Sequence, residues 1–200
     1  MTARGRLIAF EGIDGSGKST QVRRVAADRG ALCTFEPGDT ELGAALRAVA
    51  LHGTATMTPL AELLVMAADR AQHVAQVIEP ALADGRDVVC DRFDGSTLAY
   101  QGYGRGLDLD EIRAVLSVAT GGMSPDATVL LDCPVADALR RVAGDDGTPD
   151  RFEGDERFLG RVRDGFLALA DLGSWIVVDA TLPVDEVARL VDERLAASVR

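Results

Sequence analysis

The residues best suited to do chemistry are gathered near the amino terminus, in segment 12–19 with the sequence GIDGSGKS. Its three glycines accept backbone dihedrals that a Cβ would block, so consecutive N–H groups can turn toward a polyphosphate. Lys18 is the only lysine in the chain. Its flexible ammonium can reach between the β- and γ-phosphates of a nucleotide, while the Ser19 hydroxyl is placed to bind Mg²⁺. The spacing G-x-x-x-x-G-K-[ST] therefore predicts a nucleotide-phosphate site. Its predicted members are Gly12, Ile13, Asp14, Gly15, Ser16, Gly17, Lys18 and Ser19.

This loop needs a strand before it and a helix after it, and the flanking sequence fits both. Leu7–Phe10 is a short apolar run typical of a buried strand, and a helix is predicted to begin near Lys18 and to continue through Thr20–Ala27. The positive end of that helix dipole adds to the attraction for phosphate. A glycine-rich turn with no ligand is the alternative interpretation, which the strand–loop–helix order disfavours.

Five apolar runs along the chain predict the strands of one sheet. The stretches between them are helix-like and too long for hairpins, which indicates an α/β fold with a parallel sheet and helices on both faces. A length of 200 residues, 47% of them hydrophobic, fits a single domain with one core. The predicted strands are Leu7–Phe10, Ala31–Phe35, Asp87–Cys90, Thr128–Asp132 and Trp175–Asp179.

An acidic residue lies at or just past the end of each predicted strand. The carboxyl ends of parallel strands meet at one edge of a sheet, where ligands bind, so these acids would frame a crevice for cations and phosphate. For the last two of them, capping of the following helix is an equally good interpretation. The five acids are Glu11, Glu36, Asp91, Asp132 and Asp179.

Composition excludes several classes of partner. The net charge of −11 argues against binding long nucleic acid, because such proteins usually carry a basic surface. No apolar run approaches membrane-spanning length and no signal segment precedes the first strand, so a cytoplasmic enzyme is expected. The three cysteines have no metal-ligand spacing and are predicted to be buried thiols. His52 and His73 are interpreted as structural or surface residues. The cysteines are Cys33, Cys90 and Cys133.

Several further segments carry a family resemblance. The chain is similar to the bacterial thymidylate kinases, a branch of the P-loop nucleoside monophosphate kinases, over nearly its whole length. That resemblance implies a single-domain P-loop NTPase fold with a short lid at about 143–155. The segments that carry it are FEGIDGSGKSTQ at 10–21, EPG at 36–38 with Thr40, AADRAQH at 67–73, DRF at 91–93, STLAYQG at 96–102 and DRFE at 150–153.

The resemblance implies transfer of the γ-phosphoryl group of ATP to dTMP, with Mg²⁺, by direct in-line displacement. Lys18, Asp91, Arg92 and the lid residue Arg151 are then the catalytic residues. Asp91 would hold Mg²⁺ through water, beside Ser19, and Arg92 would bridge the acceptor phosphate and the γ-phosphate. Positioning and neutralisation of charge would supply most of the rate, without a general base. Arg140 and Arg141 are further candidates for the catalytic cation, and a solvated helix end is the alternative for at least one of them.

The same resemblance gives the expected dTMP site. Thymine presents an O4 acceptor and an N3–H donor, which match the guanidinium of Arg70 and the carboxamide of Gln101. Cytosine would set donor against donor at Arg70, which disfavours it. Tyr100 would pack beside the sugar. The remaining expected contacts are Asp14, Glu36, Arg47, Met66, Arg92 and Thr97.

Two residues depart from the family pattern. Met66 stands where a phenylalanine commonly stacks on thymine, and Phe35 stands where an arginine often precedes the Glu-Pro pair. Neither belongs to the phosphoryl-transfer machinery. They leave room for a related pyrimidine monophosphate as substrate. A nucleotide-hydrolysing switch protein is the alternative of a different class, which the predicted second phosphate pocket disfavours.

Two helical faces complete the expectations. A stripe near the carboxyl end is predicted to face the core. A second apolar face lies on the segment that carries Arg70, and the resemblance implies that this helix contributes to a homodimer contact. The first stripe is Val184, Val187, Val191 and Leu195, and the second is Leu60, Leu63, Leu64, Ala67, Ala71 and Val74.

Overall fold

The five predicted strands are present, and each predicted end is confirmed to within one residue. The computed structural model describes residues 3–54, 56–143 and 155–198. The strands are β1 (Leu7–Glu11), β2 (Leu32–Phe35), β3 (Val88–Asp91), β4 (Ala127–Asp132) and β5 (Ile176–Asp179). Their order in the sheet is β2-β3-β1-β4-β5, and every neighbouring pair is parallel. The predicted α/β class is therefore confirmed.

Helices follow the strands as parallel pairing requires. They are α1 (Lys18–Arg29), α2 (Glu41–Arg47), α3 (Pro59–His73), α4 (Glu79–Ala83), α5 (Asp94–Thr97), α6 (Leu109–Thr120), α7 (Val135–Val142), α8 (Glu156–Gly173) and α9 (Val184–Ser198). Three π-helical segments continue α2, α3 and α5, namely π1 (Ala48–His52), π2 (Val74–Ile78) and π3 (Leu98–Gly104). Among the described residues, no helix is both long and apolar enough to cross a membrane.

The central strand β1 is covered on both faces. All five of its residues are buried. Leu7 and Ala9 belong to one apolar cluster, which also contains residues of π2, α4 and β3. Ile8 and Phe10 belong to the other and larger cluster. Because successive side chains of a strand point to opposite faces, the two clusters lie on opposite sides of the sheet. The predicted arrangement of helices on both faces agrees with this.

The two predicted helical stripes are only partly buried. On α9, Val187, Val191 and Leu195 are buried, whereas Val184 at the first turn is 58% exposed, so the prediction was wrong for that residue. Val184 is the first residue of α9, and helical side chains tilt toward the N-terminus, so its side chain projects past the start of the helix. On α3, the outward-facing Leu60 and Leu64 are 55% and 51% exposed.

Cys33 corrects the prediction of three buried thiols. Cys90 and Cys133 are buried, but Cys33 is exposed. The reason is its position on β2, an edge strand of the sheet, where Cys33 lines a pocket open to the surface. His73 is fully buried, and His52 is exposed.

Strand register brings the predicted acids to one edge of the sheet. Asp91 pairs in register with both Phe10 and Phe35, the residues that precede Glu11 and Glu36. Asp132 is held by Arg163 through two N–H bonds of 2.7 and 2.8 Å, so it does not cap a helix.

Asp179, the last of these acids, forms a local turn. Its Oδ1 atom accepts hydrogen bonds from the Thr181 N–H at 2.8 Å and from the Thr181 hydroxyl at 2.6 Å. The turn lies ahead of α9, which begins at Val184, so Asp179 does not cap that helix.

Candidate active site

The loop between β1 and α1 has the backbone that its glycines predict. Gly12, Gly15 and Gly17 have φ values of 142°, 80° and 90°. A Cβ on Gly12 would lie 2.6 Å from the Leu131 carbonyl oxygen, and one on Gly15 would lie 2.3 Å from that of Ala138. Both positions therefore exclude any side chain. The helix then begins at Lys18, as predicted, with its N-terminal amides at the loop.

Lys18 lies inside the loop and is almost fully buried. Its Nζ atom donates to the Ile13 carbonyl oxygen at 2.9 Å and lies 3.9 Å from Asp14 Oδ1. Burial lowers the pKa of Lys18, and the nearby Arg92 cation lowers it further. Ser16 Oγ is also buried and, among the described residues, lacks a hydrogen-bond partner. A buried ammonium and a buried hydroxyl without a partner fit an anion held by the loop.

The two predicted metal ligands are in contact. The Ser19 hydroxyl donates to Asp91 Oδ2 at 2.6 Å. Ser19 stands in the first turn of α1, and Asp91 ends β3, the strand paired with β1. Hydroxyl and carboxylate oxygens are the hard donors that Mg²⁺ prefers, so the pair fits that ion.

Arg92 links the loop to the residues that follow β3. Its guanidinium donates to the Gly12 carbonyl oxygen at 2.9 Å, to Ser96 Oγ at 2.9 Å and to Asp14 Oδ1 at 2.6 Å. It also lies over the Tyr100 ring, 5.1 Å from the centroid. Burial raises the pKa of Asp14, but Arg92 and Lys18 outweigh that effect and hold it below its ordinary range.

The backbone of Arg92 is strained. Its φ is 71°, in the left-handed region that costs roughly 1–2 kcal/mol for a residue with a Cβ. The Arg92 N–H donates to the Phe10 carbonyl oxygen at 2.8 Å, which fixes this conformation. Strain of this kind is concentrated at functional sites.

Glu11 holds the residues that position Arg92. It is fully buried, and it accepts hydrogen bonds from the Phe93 N–H at 2.9 Å and from the Ser96 hydroxyl at 2.5 Å. Ser96 in turn accepts from Arg92. Burial raises the pKa of Glu11 to about 7, against the lowering effects of Ser96 and Arg92.

Arg70 is fixed by three hydrogen bonds. Its Nε donates to Glu36 Oε2 at 2.7 Å, one Nη donates to Thr97 Oγ1 at 2.8 Å, and the other donates to the Phe93 carbonyl oxygen at 2.7 Å. A guanidinium has five N–H groups, so two remain available to a ligand beyond these contacts with the described residues. The second oxygen of Glu36 is 2.8 Å from His73 Nδ1.

His73 is a member of the site that sequence reasoning placed only among structural or surface residues. Its Nε2 lies 2.6 Å from the Thr34 hydroxyl, which also bonds to Asp39. His73 and Arg70 are three residues apart on α3, and both contact Glu36. That helical spacing is a local signal that places His73 and Arg70 on one face of α3, but it does not show that both meet Glu36.

Two neighbouring pockets meet at these residues. One, the acceptor pocket, is lined by every predicted dTMP contact, with Leu51, Pro37, Asp69 and Ser96 beside them. The other, the phosphate-loop pocket, is lined by residues of the loop at 12–19, here called the phosphate loop, and by Asp91 and Arg141. Asp14, Glu36, Arg47 and Arg92 border both pockets. Such an arrangement can hold two phosphorylated ligands with their phosphates facing each other.

Comparison with known proteins shows the family of the chain. The family model for thymidylate kinase matches residues 10–191. The chain belongs to the thymidylate kinase family. A thymidylate kinase of Prochlorococcus marinus (strain MIT 9313) is 48% identical over 204 residues, which cover 96% of this chain and 94% of that protein. One of Thermosynechococcus vestitus is 46% identical, covering 96% and 88%. One of Trichlorobacter lovleyi is 44% identical, covering 96% and 99%.

The resemblance stated from sequence motifs is therefore confirmed, and with it the P-loop fold of the thymidylate kinase family. The three arginines predicted as candidates for the catalytic cation, Arg140, Arg141 and Arg151, have different outcomes. Arg140 is exposed and pairs with Asp137 one turn earlier, which matches the solvated helix end. Arg141 lines the phosphate-loop pocket and donates to the carbonyl oxygens of Gly15 and Ala180 at 3.3 and 2.8 Å. Arg151 lies outside the described residues.

Two positions depart from the thymidylate kinase pattern. Met66 lines the acceptor pocket, whereas Phe35 lines the phosphate-loop pocket. Phe35 is 41% exposed, and the Arg47 guanidinium lies 5.8 Å from its ring centroid. Arg47 also donates to the Pro37 carbonyl oxygen at 2.7 Å. Phe35 therefore contributes an apolar wall and a cation–π contact that holds Arg47 at the rim.

Proposed function

We propose that the two pockets carry out the activity of the thymidylate kinase family, the phosphorylation of dTMP to dTDP with ATP, by direct in-line transfer. The observation that supports this is the shared border of the pockets, where Asp14 and Arg92 separate the phosphate loop from the acceptor pocket. An oxygen of the dTMP phosphate forms the new bond to the γ-phosphorus. The bond from that phosphorus to the β,γ-bridging oxygen breaks, and ADP leaves with its electron pair.

The donor side is the phosphate loop. Backbone N–H groups of the loop and the first turn of α1 bind the phosphates of ATP. The Lys18 ammonium binds between the β- and γ-phosphates and neutralises the negative charge there. For this Lys18 gives up its bond of 2.9 Å to the Ile13 carbonyl oxygen. Ser19 and Asp91 would hold Mg²⁺, which neutralises phosphate charge when bound.

The acceptor side is organised by Arg92. Its planar fork is held by Asp14, Ser96 and the Gly12 carbonyl oxygen, so the guanidinium is fixed before the substrates bind. We place the dTMP phosphate between Arg92 and Arg47. Preorganised positive charge at this point aligns the acceptor with the γ-phosphate and costs little reorganisation during the reaction.

We place the thymine ring between Met66, Arg70 and Gln101. The two N–H groups of Arg70 that remain available can donate to O4, and Thr97 and Glu36 hold the guanidinium in place. Tyr100, whose hydroxyl donates to Asp14 Oδ2 at 3.1 Å, lies beside the sugar. We propose that Arg151 supplies the cation that stabilises the transition state. Among the described residues, Arg141 is the alternative for this role.

The experiment measures ADP release from ATP and Mg²⁺ with thymidine, deoxyuridine, uridine, deoxycytidine and adenosine monophosphates offered separately. A strong preference for dTMP is expected. Preference for another pyrimidine would keep the transfer mechanism and overturn the proposed base contacts. ATP hydrolysis without any acceptor would contradict the role of the second pocket.

We also propose that the chain works in the cytoplasm as a homodimer. The exposed Leu60 and Leu64 on α3 are apolar side chains that a second copy would cover. The distribution of molar mass against concentration, measured by light scattering, tests the dimer. A monomer mass at every concentration would overturn it.

A further inference from the structure

Glu62 is a buried carboxylate that has no place in the phosphoryl-transfer machinery. It lies on α3, two turns before Arg70, and is 2% exposed. Its Oε1 atom accepts from Gln101 Nε2 at 2.9 Å and from Arg105 Nε at 3.2 Å, and its Oε2 atom accepts from Arg105 Nη2 at 3.0 Å. Three N–H bonds on one buried carboxylate make a fixed acceptor.

A carboxylate paired with a guanidinium can only accept hydrogen bonds. The carboxamide of Gln101 can face Glu62 in two ways, and only its NH₂ side forms a bond there. Turning the amide over would place its oxygen against a carboxylate oxygen, so two acceptors would meet in a buried site. Glu62 therefore fixes which end of the Gln101 amide faces the protein.

The other end of the amide opens into the acceptor pocket. Gln101 lines that pocket beside Arg70 and Thr97. Within residues 3–54, 56–143 and 155–198, no donor bonds to Gln101 Oε1, and Ser16 Oγ is the one fully buried side-chain N or O atom without a partner. Gln101 Oε1 consequently contacts open space, on the side of the amide away from Glu62.

We infer that Glu62 is a positioning residue for base selection, because it holds Gln101 with its carbonyl oxygen toward the base. A 4-keto pyrimidine such as thymine has an N3–H donor that this oxygen accepts. Cytosine has a lone pair at N3, which would face the oxygen directly. The inference rests on the proposed placement of the base beside Gln101, and it adds the residue that sets the orientation of the Gln101 amide.

The test is the ratio of kcat/KM for dTMP to kcat/KM for dCMP in the wild type and in Glu62→Gln. Glutamine has the shape of glutamate but can both donate and accept, so it allows either orientation of Gln101. The ratio is expected to fall about tenfold, in the range of one lost polar discrimination. A purely structural role would lower both values by the same factor and leave the ratio unchanged, which would overturn the inference.

Arg105→Lys is the matched control. It keeps a cation beside Glu62 and keeps the carboxylate as an acceptor, so the ratio is expected to stay at the wild-type value. A fall equal to that of Glu62→Gln would show that packing or charge, and not the orientation of the amide, sets the selectivity.

Gln101→Leu separates this inference from the placement of the base. If Gln101→Leu lowers the ratio and Glu62→Gln does not, the role of Glu62 is wrong and the base placement stands. If neither variant changes the ratio, the base does not lie beside Gln101 and both proposals fail.

A measurement on the wild type covers the case in which Glu62→Gln does not fold. In ¹⁵N-labelled protein, the side-chain NH₂ resonances of Gln101, assigned by their loss in Gln101→Leu, report on the amide. Slow hydrogen exchange without nucleotide and little change on adding dTMP are expected, because the NH₂ group bonds to Glu62 in both states. Fast exchange that becomes slow only with dTMP would place the NH₂ group on the base and refute the inference.

Discussion

Replacing Glu11 by glutamine is expected to remove a large part of the pH dependence of the protein's stability. Burial is the main cause that raises the pKa of Glu11 from 4.5 to about 7. The folded protein therefore binds this proton more tightly than the unfolded chain does. The contribution of Glu11 to the free energy of unfolding is fully present below about pH 4.5 and is lost as the pH rises through about 7.

The size of the effect follows from the two pKa values. At 1.36 kcal/mol per pKa unit, the difference between 4.5 and about 7 corresponds to about 3 kcal/mol. Glutamine is neutral at every pH, and it can make the same two contacts. Its oxygen accepts from the Phe93 N–H, and its NH₂ group donates to Ser96 Oγ, where Glu11 now has bonds of 2.9 and 2.5 Å.

The assay is urea unfolding followed by circular dichroism at pH 5 and pH 9 for both proteins. Between these pH values, the free energy of unfolding of Glu11→Gln is expected to rise by about 3 kcal/mol relative to the wild type. Asp69, whose pKa burial raises to about 6, is present in both proteins, so its contribution cancels. Asp171→Asn, an exposed change on α8, should follow the wild type. Parallel pH dependences for wild type and Glu11→Gln would refute the reasoning.

Three further changes test the active site. Arg151→Ala should lower kcat on the order of 10³-fold with little change in dTMP affinity, because a transition-state cation acts mainly on the rate; unchanged turnover in single-turnover kinetics would transfer the role to Arg141. Asp91→Asn should raise the Mg²⁺ concentration for half-maximal rate by about 10- to 100-fold, and a Mg²⁺ titration that matches the wild type would contradict its role as a metal-holding residue. Met66→Phe should tighten dTMP binding by about 1 kcal/mol, roughly fivefold, through stacking on thymine, as measured by calorimetry; weaker binding would show that the pocket is shaped around methionine.

The sheet could be predicted because its strands are buried on both faces. β1 and β3 give uninterrupted apolar runs, and each polar residue that ends them lies at the ligand-binding edge. The phosphate loop could be predicted because its geometry depends on residues adjacent in sequence. The exposure of Cys33 could not be predicted from the sequence. The order of strands in the sheet decides which strand is an edge, and no local sequence pattern encodes that order.

The polar network beneath the acceptor pocket was also beyond sequence reasoning. Glu62 and Arg105 are 43 residues apart, and the sequence around each one predicts a solvated charge on a helix or loop. His73 likewise gains its role from Glu36, which is 37 residues away. Burial of such groups depends on which distant partner satisfies their hydrogen bonds, and that partner is set by the fold as a whole.

The unique lysine of the chain gives the active site a chemical label of its own. Lys18 is 5% exposed, and burial together with the Arg92 charge lowers its pKa, which increases the fraction of neutral, nucleophilic amine. No other side chain of the sequence carries a primary amine. Acylation of side-chain amines, followed by mass spectrometry, therefore reports on a single position. Protection of that position by ATP would measure occupancy of the phosphate loop directly, without a substituted residue or an attached fluorophore.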